Sequence, residues 1–425
     1  MYPNPQDVVP LPSRASLEQY EKHANDLTAA CRSGEPGAIG AWAAQFPESI
    51  PEFETFARQT LTSRDCALTA AQFVIARAHG FETWSIFAKH LDDLQKKESP
   101  VSMFEATAEA IVAGDIPALE RLLHEQPALI RARSTREHRA MLLHYAAANG
   151  VENYRQKTPH NAVAVTEALL AAGAEVDAEA DMYGGGCTAL GLVATSVHPE
   201  RAGVQNALMQ ILIDHGAQID RPTATGNNHS FVAGCLANGR GPAAEYLAAR
   251  GARLDLEGAA GIGRLDLVKD YFDAEGRLKP VATTKQMEAA FAWACEYGRT
   301  DVVAFLLERG LPIDAAVRHD GQTGLHWAAI GGHADVVSLL LERHASIAVV
   351  DRTYKGTPLA WALHGWSDPP FGTPRDRYYD VVAQLVRAGA TVKPQWFDAD
   401  ADHTAFANAL RADTRMLAAL RGNAP

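Results

Sequence analysis

The chain has 425 residues, with 39 Lys and Arg against 51 Asp and Glu, a formal net charge of −12 with histidine neutral. Its hydrophobic share of 47% and charged share of 21% are enough to bury a core, which excludes a disordered tail. No stretch approaches the roughly 18 to 20 apolar residues of a membrane span, and the acidic balance argues against nucleic acid, whose phosphates need a basic face.

The start of the chain, residues 1–12, is proline-rich and has no basic residue. It does not read as a secretory signal, so a cytoplasmic location is the expectation. Further on, Leu27-Thr-Ala-Ala-Cys-Arg-Ser-Gly34 followed by Ala38 to Phe46 reads as helix, glycine, helix. Ala70 to Gly80 followed by Trp84 to Leu91 reads the same way. Residues 1–97 are therefore expected to form a helical block, with the polar run Lys96-Lys-Glu-Ser-Pro100 as the linker. The five cysteines, Cys31, Cys66, Cys187, Cys235 and Cys295, are odd in number, widely spaced and free of any CxxC. Neither a disulfide framework nor a zinc ribbon is expected, and each is read as a small buried thiol.

Beyond residue 101 the chain repeats itself. An apolar run, Gly-Ala or a variant, an aliphatic residue and Asp recur at Gly173, Gly216, Gly251 and Gly310. Weaker copies stand at Gly276, His344 and Gly389, so successive marks are 43, 35, 25, 34, 34 and 45 residues apart. The base period is about 34 residues. Upstream of each mark lies a helix, a glycine and a second helix. The cleanest copy runs Thr323-Gly-Leu-His-Trp-Ala-Ala-Ile-Gly-Gly-His-Ala-Asp-Val-Val-Ser-Leu-Leu-Leu-Glu. There Thr323 is placed to cap the first helix, Gly331 or Gly332 to end it, and Val336, Val337, Leu339, Leu340 and Leu341 to form the apolar stripe of the second.

This unit resembles the ankyrin repeat, whose signature reads T-P-L-H-x-A-A-x-x-G-H-x-x-V-V-x-x-L-L. Good copies also stand at Thr357-Pro-Leu-Ala-Trp-Ala, at Leu142-Leu-His-Tyr-Ala-Ala-Ala-Asn-Gly150 and at Ala292-Trp-Ala-Cys-Glu-Tyr-Gly. The resemblance, of a kind met in bacterial proteins with a helical block ahead of the repeats, implies an all-α ankyrin-repeat solenoid with short hairpin loops. It would hold about nine units over residues 101–425, with residues 1–97 as its cap. It also implies that His144 and His326 bridge neighbouring units, and that hairpin tips and first helices form a groove for another macromolecule.

Departures from the repeat carry the functional expectations. Three units are enlarged between their two helices, at residues 151–161, 196–203 and 365–379. These inserts bring Tyr154, Arg201 and Trp366 into play, either as binding loops or as packing over helix ends. Residues 184–186 are three consecutive glycines at a hairpin position, either an anion cradle or a flexible tip. Tyr183 stands beside them, and Asn227 and His229 take the equivalent place one unit later. Trp327 and Trp361, with His364 nearby, share one phase of successive first helices, either as core or as an aromatic floor.

The expected function is therefore a recognition scaffold for a protein or peptide, contacting it through Tyr183, Asn227, His229, Trp327, Trp361, His364, Trp366, Tyr154 and Arg201. No metal and no cofactor is expected, and neither HExxH nor GxSxG occurs. The alternative is an enzyme or small-molecule binder whose pocket is enclosed by the inserts and the Gly-rich loop. Its first catalytic candidates would be Asp181, His198 and His229.

Overall fold

A computed structural model of the chain describes residues 7–12, 15–46, 51–220, 230–317, 321–370, 373–398 and 404–423. The described residues are helical, with no strand and only two isolated antiparallel bridges, Ala180 with Cys187 and Phe272 with Leu278. They form two compact units, Met1–Asn228 and His229–Pro425.

The first unit opens with helices Leu17–Ser33, Ala38–Ala43, Pro51–Thr62, Leu68–Ala78 and Trp84–Leu94. Ser16 and Thr83 cap the first and last, accepting from the backbone N–H of Gln19 and Ile86. These helices enclose a core of their own that includes Tyr20, Leu27, Trp42, Phe53, Phe81 and Phe87. Here the sequence reading of the cysteines is corrected. Cys31 and Cys66 are joined in a disulfide, with Cα atoms 5.6 Å apart. Thirty-five residues separate them in sequence, but the fold sets the end of Leu17–Ser33 beside the turn that leads into Leu68–Ala78. Cys66 lies in that turn rather than in a helix, with a φ of 49°. Cys187, Cys235 and Cys295 are not disulfide-bonded. The polar run before Pro100 is a tied turn: Ser99 Oγ donates to the Asp93 carbonyl at 2.6 Å and caps helix Pro100–Ala113.

Three helix pairs complete the first unit: Pro100–Ala113 with Ile116–Glu125, Leu142–Tyr145 with Ala162–Ala171, and Ala189–Thr195 with Gln205–Asp214. The second unit stacks six: Phe231–Ala237 with Gly241–Ala249, Leu256–Gly261 with Leu265–Lys269, Thr284–Glu296 with Thr300–Glu308, Gly324–Ile330 with Ala334–Glu342, Pro358–Ser367 with Arg377–Arg387, and Thr404–Ala412 with Thr414–Ala419. Its core is laid down by the same positions in each pair, among them Ala290, Phe291, Val302 and Leu306, then Ala328, Ala329, Val336 and Leu340.

The recurring Gly-Ala mark is the stop signal of the second helix. Gly173, Gly216, Gly251, Gly310 and Gly389 all have φ between 88° and 101°. The next N–H bonds back five residues, as from Ala174 to Leu169 and from Ala390 to Leu385. That is the double-bonded helix ending that needs a left-handed residue, which glycine supplies without a Cβ penalty. His344 holds the same place at a φ of 64°. Gly276 does something else. Its second helix, Leu265–Lys269, is only five residues long, and Gly276 sits in the tight turn between Phe272 and Leu278. Of the two candidates for ending helix Gly324–Ile330, Gly332 is the left-handed residue, with φ 70°. Gly331 is helical, and a Cβ on it would meet the Glu296 carbonyl at 2.4 Å.

Hairpins link successive pairs. They close through Ser134 N–H to the Ala140 carbonyl, Ala180 to Cys187, Val317 to Gln322 and Asp351 to Gly356. No helix among the described residues is long and apolar enough to cross a membrane.

Candidate functional site

The histidines of the T-P-L-H position do bridge units. His326 Nδ1 accepts from the Thr323 N–H at 3.1 Å, which leaves Nε2 as the protonated nitrogen, 3.3 Å from the Gly356 carbonyl of the next hairpin. His144 repeats the arrangement, accepting from Met141 N–H at 3.1 Å and donating to the Ala178 carbonyl at 3.0 Å. His333 Nε2 reaches the Glu296 carbonyl one pair earlier, at 2.8 Å. These imidazoles tie each repeat to its neighbour.

The second unit presents an aromatic ledge. Trp327 and Trp361 occupy equivalent positions on helices Gly324–Ile330 and Pro358–Ser367, with ring centroids 5.3 Å apart and edge to face. The His326 ring lies 5.7 Å from that of Trp361, and the Tyr354 ring 6.1 Å from it. Trp361 is buried and Trp327 half-buried, while Tyr354 is 74% exposed. Tyr354 sits at the tip of the 351–356 hairpin, and that tip is built around one carboxylate. Asp351 is buried and accepts from the N–H groups of Tyr354 at 2.7 Å, Gly356 at 2.8 Å and Thr353 at 3.0 Å, and from the Trp361 indole at 3.0 Å. Burial pushes the Asp351 carboxyl up, but these four donors outweigh it and hold it below the usual carboxylate range. The tip is thereby fixed to the helix that carries Trp361. His364 is exposed one helical turn further on.

The inserts are more structural than their composition announces. In residues 151–161, Glu152 and Arg155 turn inward to meet Glu105 of helix Pro100–Ala113 and Arg136 of the first hairpin. Arg136 pairs with Glu105 at 2.6 Å and Glu152 at 2.8 Å, and Arg155 with Glu105 at 2.7 Å and Glu109 at 2.8 Å. Burial pushes the Glu105 carboxyl up, but Arg136 and Arg155 outweigh it and hold it at about 2. Tyr154 is half-buried, with Arg136 donating to its hydroxyl at 3.4 Å and the Arg155 guanidinium 5.5 Å from its ring. In residues 196–203 the chain forms helix Val197–Arg201, on which His198 is half-buried and Arg201 exposed. In the third insert, Trp366 is only 2% exposed and packs 6.3 Å from Phe406, and the Tyr378 hydroxyl donates to the Ile330 carbonyl at 2.7 Å.

Tyr183 is 54% exposed beside Gly184, Gly185 and Gly186, and its hydroxyl donates to Asn149 Oδ1 at 2.8 Å. Asp181 is exposed, and among the described residues no hydrogen bond or ion pair joins it to His198. Asn227 and His229 lie outside the described residues. No group of three or more His, Cys, Asp or Glu among the described residues is placed to hold a metal ion. The structure thus brings together Trp327, Trp361 and the neighbouring His326, and adds Tyr354 and Asp351, which sequence reasoning missed. The signal for these two was present: a hairpin whose Asp precedes Arg-Thr-Tyr-Lys-Gly matches an Asp-anchored turn.

Buried neutral histidines make stability fall in acid. Burial pushes the His79 imidazole down to about 3 and those of His90, His144 and His333 to about 4, against about 6.5 in an unfolded chain. With the folded value depressed, the unfolded chain takes up protons that the folded one refuses, so the contribution is whole above about pH 6.5 and is lost as pH falls towards 4. The melting temperature is expected to fall by more than about 5 °C between pH 7 and pH 4.5, read by circular dichroism. A flat profile would contradict the burial of these rings.

The family model described as ankyrin repeats (3 copies) matches residues 256–351 and again residues 291–395. Among solved structures, the chain is similar to the ankyrin repeat domain of human ASB11, at 20% identity and a TM-score of 0.34, over 68% of this chain and 99% of that one. No curated protein matches. Ankyrin repeats are in general protein-interaction scaffolds. The paired helices, their left-handed stops and the bridging histidine His326 agree with the family match, and the chain carries ankyrin repeats over residues 256–395.

Proposed function

We propose that the chain is a recognition scaffold, and that the aromatic ledge of the unit His229–Pro425 is its protein-binding face. One observation carries this reading: Tyr354 is held out, 74% exposed, on a hairpin tip pinned by Asp351, next to Trp361 and Trp327. A large ring with few rotatable bonds, carried on a backbone that is already fixed, loses little conformational freedom when a partner covers it. His364 is exposed on the same helix as Trp361. Residues 1–97, with their own core, serve to close the end of the repeats that follow them.

The test is a selection of phage-displayed random twelve-residue peptides on the full chain, followed by affinity measurements on Trp327→Ala and Tyr354→Ala. Removing an aromatic anchor costs about 2 kcal/mol or more at such centres, so each change is expected to weaken the selected peptides by roughly tenfold or more. Circular dichroism shows whether the fold is intact. If no peptide is enriched while a metabolite raises the melting temperature, the scaffold reading fails and the small-molecule alternative replaces it.

A further inference from the structure

The ledge has a charge as well as a shape. Resting on the reading that the ledge binds protein, we infer that its partner is an acidic segment carrying an aromatic or aliphatic anchor. The hairpin tip runs Asp351-Arg-Thr-Tyr-Lys355. Its one acid is turned inward and is occupied by four N–H donors, so it offers nothing to a partner. Its two cations, Arg352 and Lys355, are exposed on either side of the exposed Tyr354. The tip therefore presents a ring between two positive charges. It does so on a chain whose net charge is −12, so this local sign is opposite to that of the whole.

The geometry also separates the roles. Tyr354, with Trp361 6.1 Å behind it and Trp327 beyond, supplies apolar contact area. Arg352 and Lys355 stand at the solvent edge, where charges set the rate of encounter and the choice of partner more than the depth of the complex. A carboxylate on the partner can take two parallel bonds from the Arg352 guanidinium, while Lys355 acts as a point charge. A basic segment would meet like charge on both sides of its anchor, which is how such a surface rejects it. Val350, 48% exposed at the base of the hairpin, extends the apolar area for the anchor.

The test uses the peptides selected above on the full chain, together with the double charge reversal Arg352→Glu, Lys355→Glu. Both positions are exposed, so the variant is expected to melt as the parent does. The enriched peptides are expected to be net acidic, with at least one aromatic or aliphatic residue. The reversal is expected to weaken them by at least about tenfold, mainly through a slower association rate. Binding to the unaltered chain is expected to weaken as salt rises, because exposed charges are screened. A second selection on the reversed variant is expected to yield basic peptides. Neutral or basic peptides on the unaltered chain, or acidic peptides that bind the reversed variant equally well, would overturn the inference. If those peptides still lose affinity on Trp327→Ala, the protein-binding reading stands without it. If no peptide is enriched, both fall.

Discussion

Arg136→Ala is expected to destabilise the unit Met1–Asn228 by about 3 to 5 kcal/mol, the usual cost of removing one partner from a buried ion pair. The Arg136 side chain is 2% exposed and touches two carboxylates, of which Glu152 is wholly buried. Without it, Glu105 and Glu152 would share the one guanidinium of Arg155, with the His138 imidazole 3.6 Å from Glu152 as the remaining neighbour, so two buried carboxylates would face a single fixed positive charge. The guanidinium also lies 5.4 Å over the Phe81 ring of the N-terminal block, so packing is lost with the charge. Urea unfolding followed by circular dichroism measures the loss. The pH dependence identifies its cause. In the variant one of the opposing positive charges is gone, so burial raises the two carboxyls relative to the parent; they would take up protons more readily while folded, and the deficit relative to the parent should shrink in mild acid. The double change Arg136→Met with Glu152→Gln should recover part of the loss, since no unpaired ion then remains. A cost below about 1 kcal/mol for Arg136→Ala would mean that the network is hydrated and contributes as a surface pair does.

Trp366→Ala is expected to cost about 3 to 5 kcal/mol in the unit His229–Pro425, the range for deleting a buried aromatic. Trp366 is 2% exposed among Tyr378, Tyr379 and Phe406, with the Arg375 guanidinium 5.8 Å from its ring. Its truncation would open a cavity that the rigid helix pairs around it can only partly fill. Trp366→Phe, which keeps a ring, should cost less than half as much. If Trp366→Ala instead left stability within about 1 kcal/mol of the parent and abolished peptide binding, Trp366 would be a contact residue, as its place in an aromatic-rich insert first implies.

The contrast between Trp366 and Tyr354 shows which parts of the structure were legible in the sequence. The repeat was legible because its physics is local: a glycine that must be left-handed, a histidine that must reach the next hairpin, small residues where helices approach. Gly173, Gly216 and His326 follow from one unit's grammar. The site was less legible because exposure is not local. Trp361 and Trp366 are five residues apart on one helix, yet one forms part of the ledge and the other lies in the core. Five residues of α-helix turn the two rings about 140° apart, and which of those faces is covered depends on the elements packed there. Residues 151–161 mislead for the same reason. Glu152 and Arg155 are ordinary loop residues until Glu105 and Arg136, distant in sequence, are brought to them. The Cys31–Cys66 bond joins positions whose adjacency only the packed block creates.

The central claim is that protein recognition takes place on the aromatic ledge. Hydrogen–deuterium exchange of the full chain, with and without a saturating selected peptide, tests it most directly. The account predicts added protection in the 351–356 hairpin and in helices Gly324–Ile330 and Pro358–Ser367, where Tyr354, Trp327 and Trp361 reside. Protection confined to residues 1–228, or to the Gly-rich hairpin around Tyr183, would contradict it.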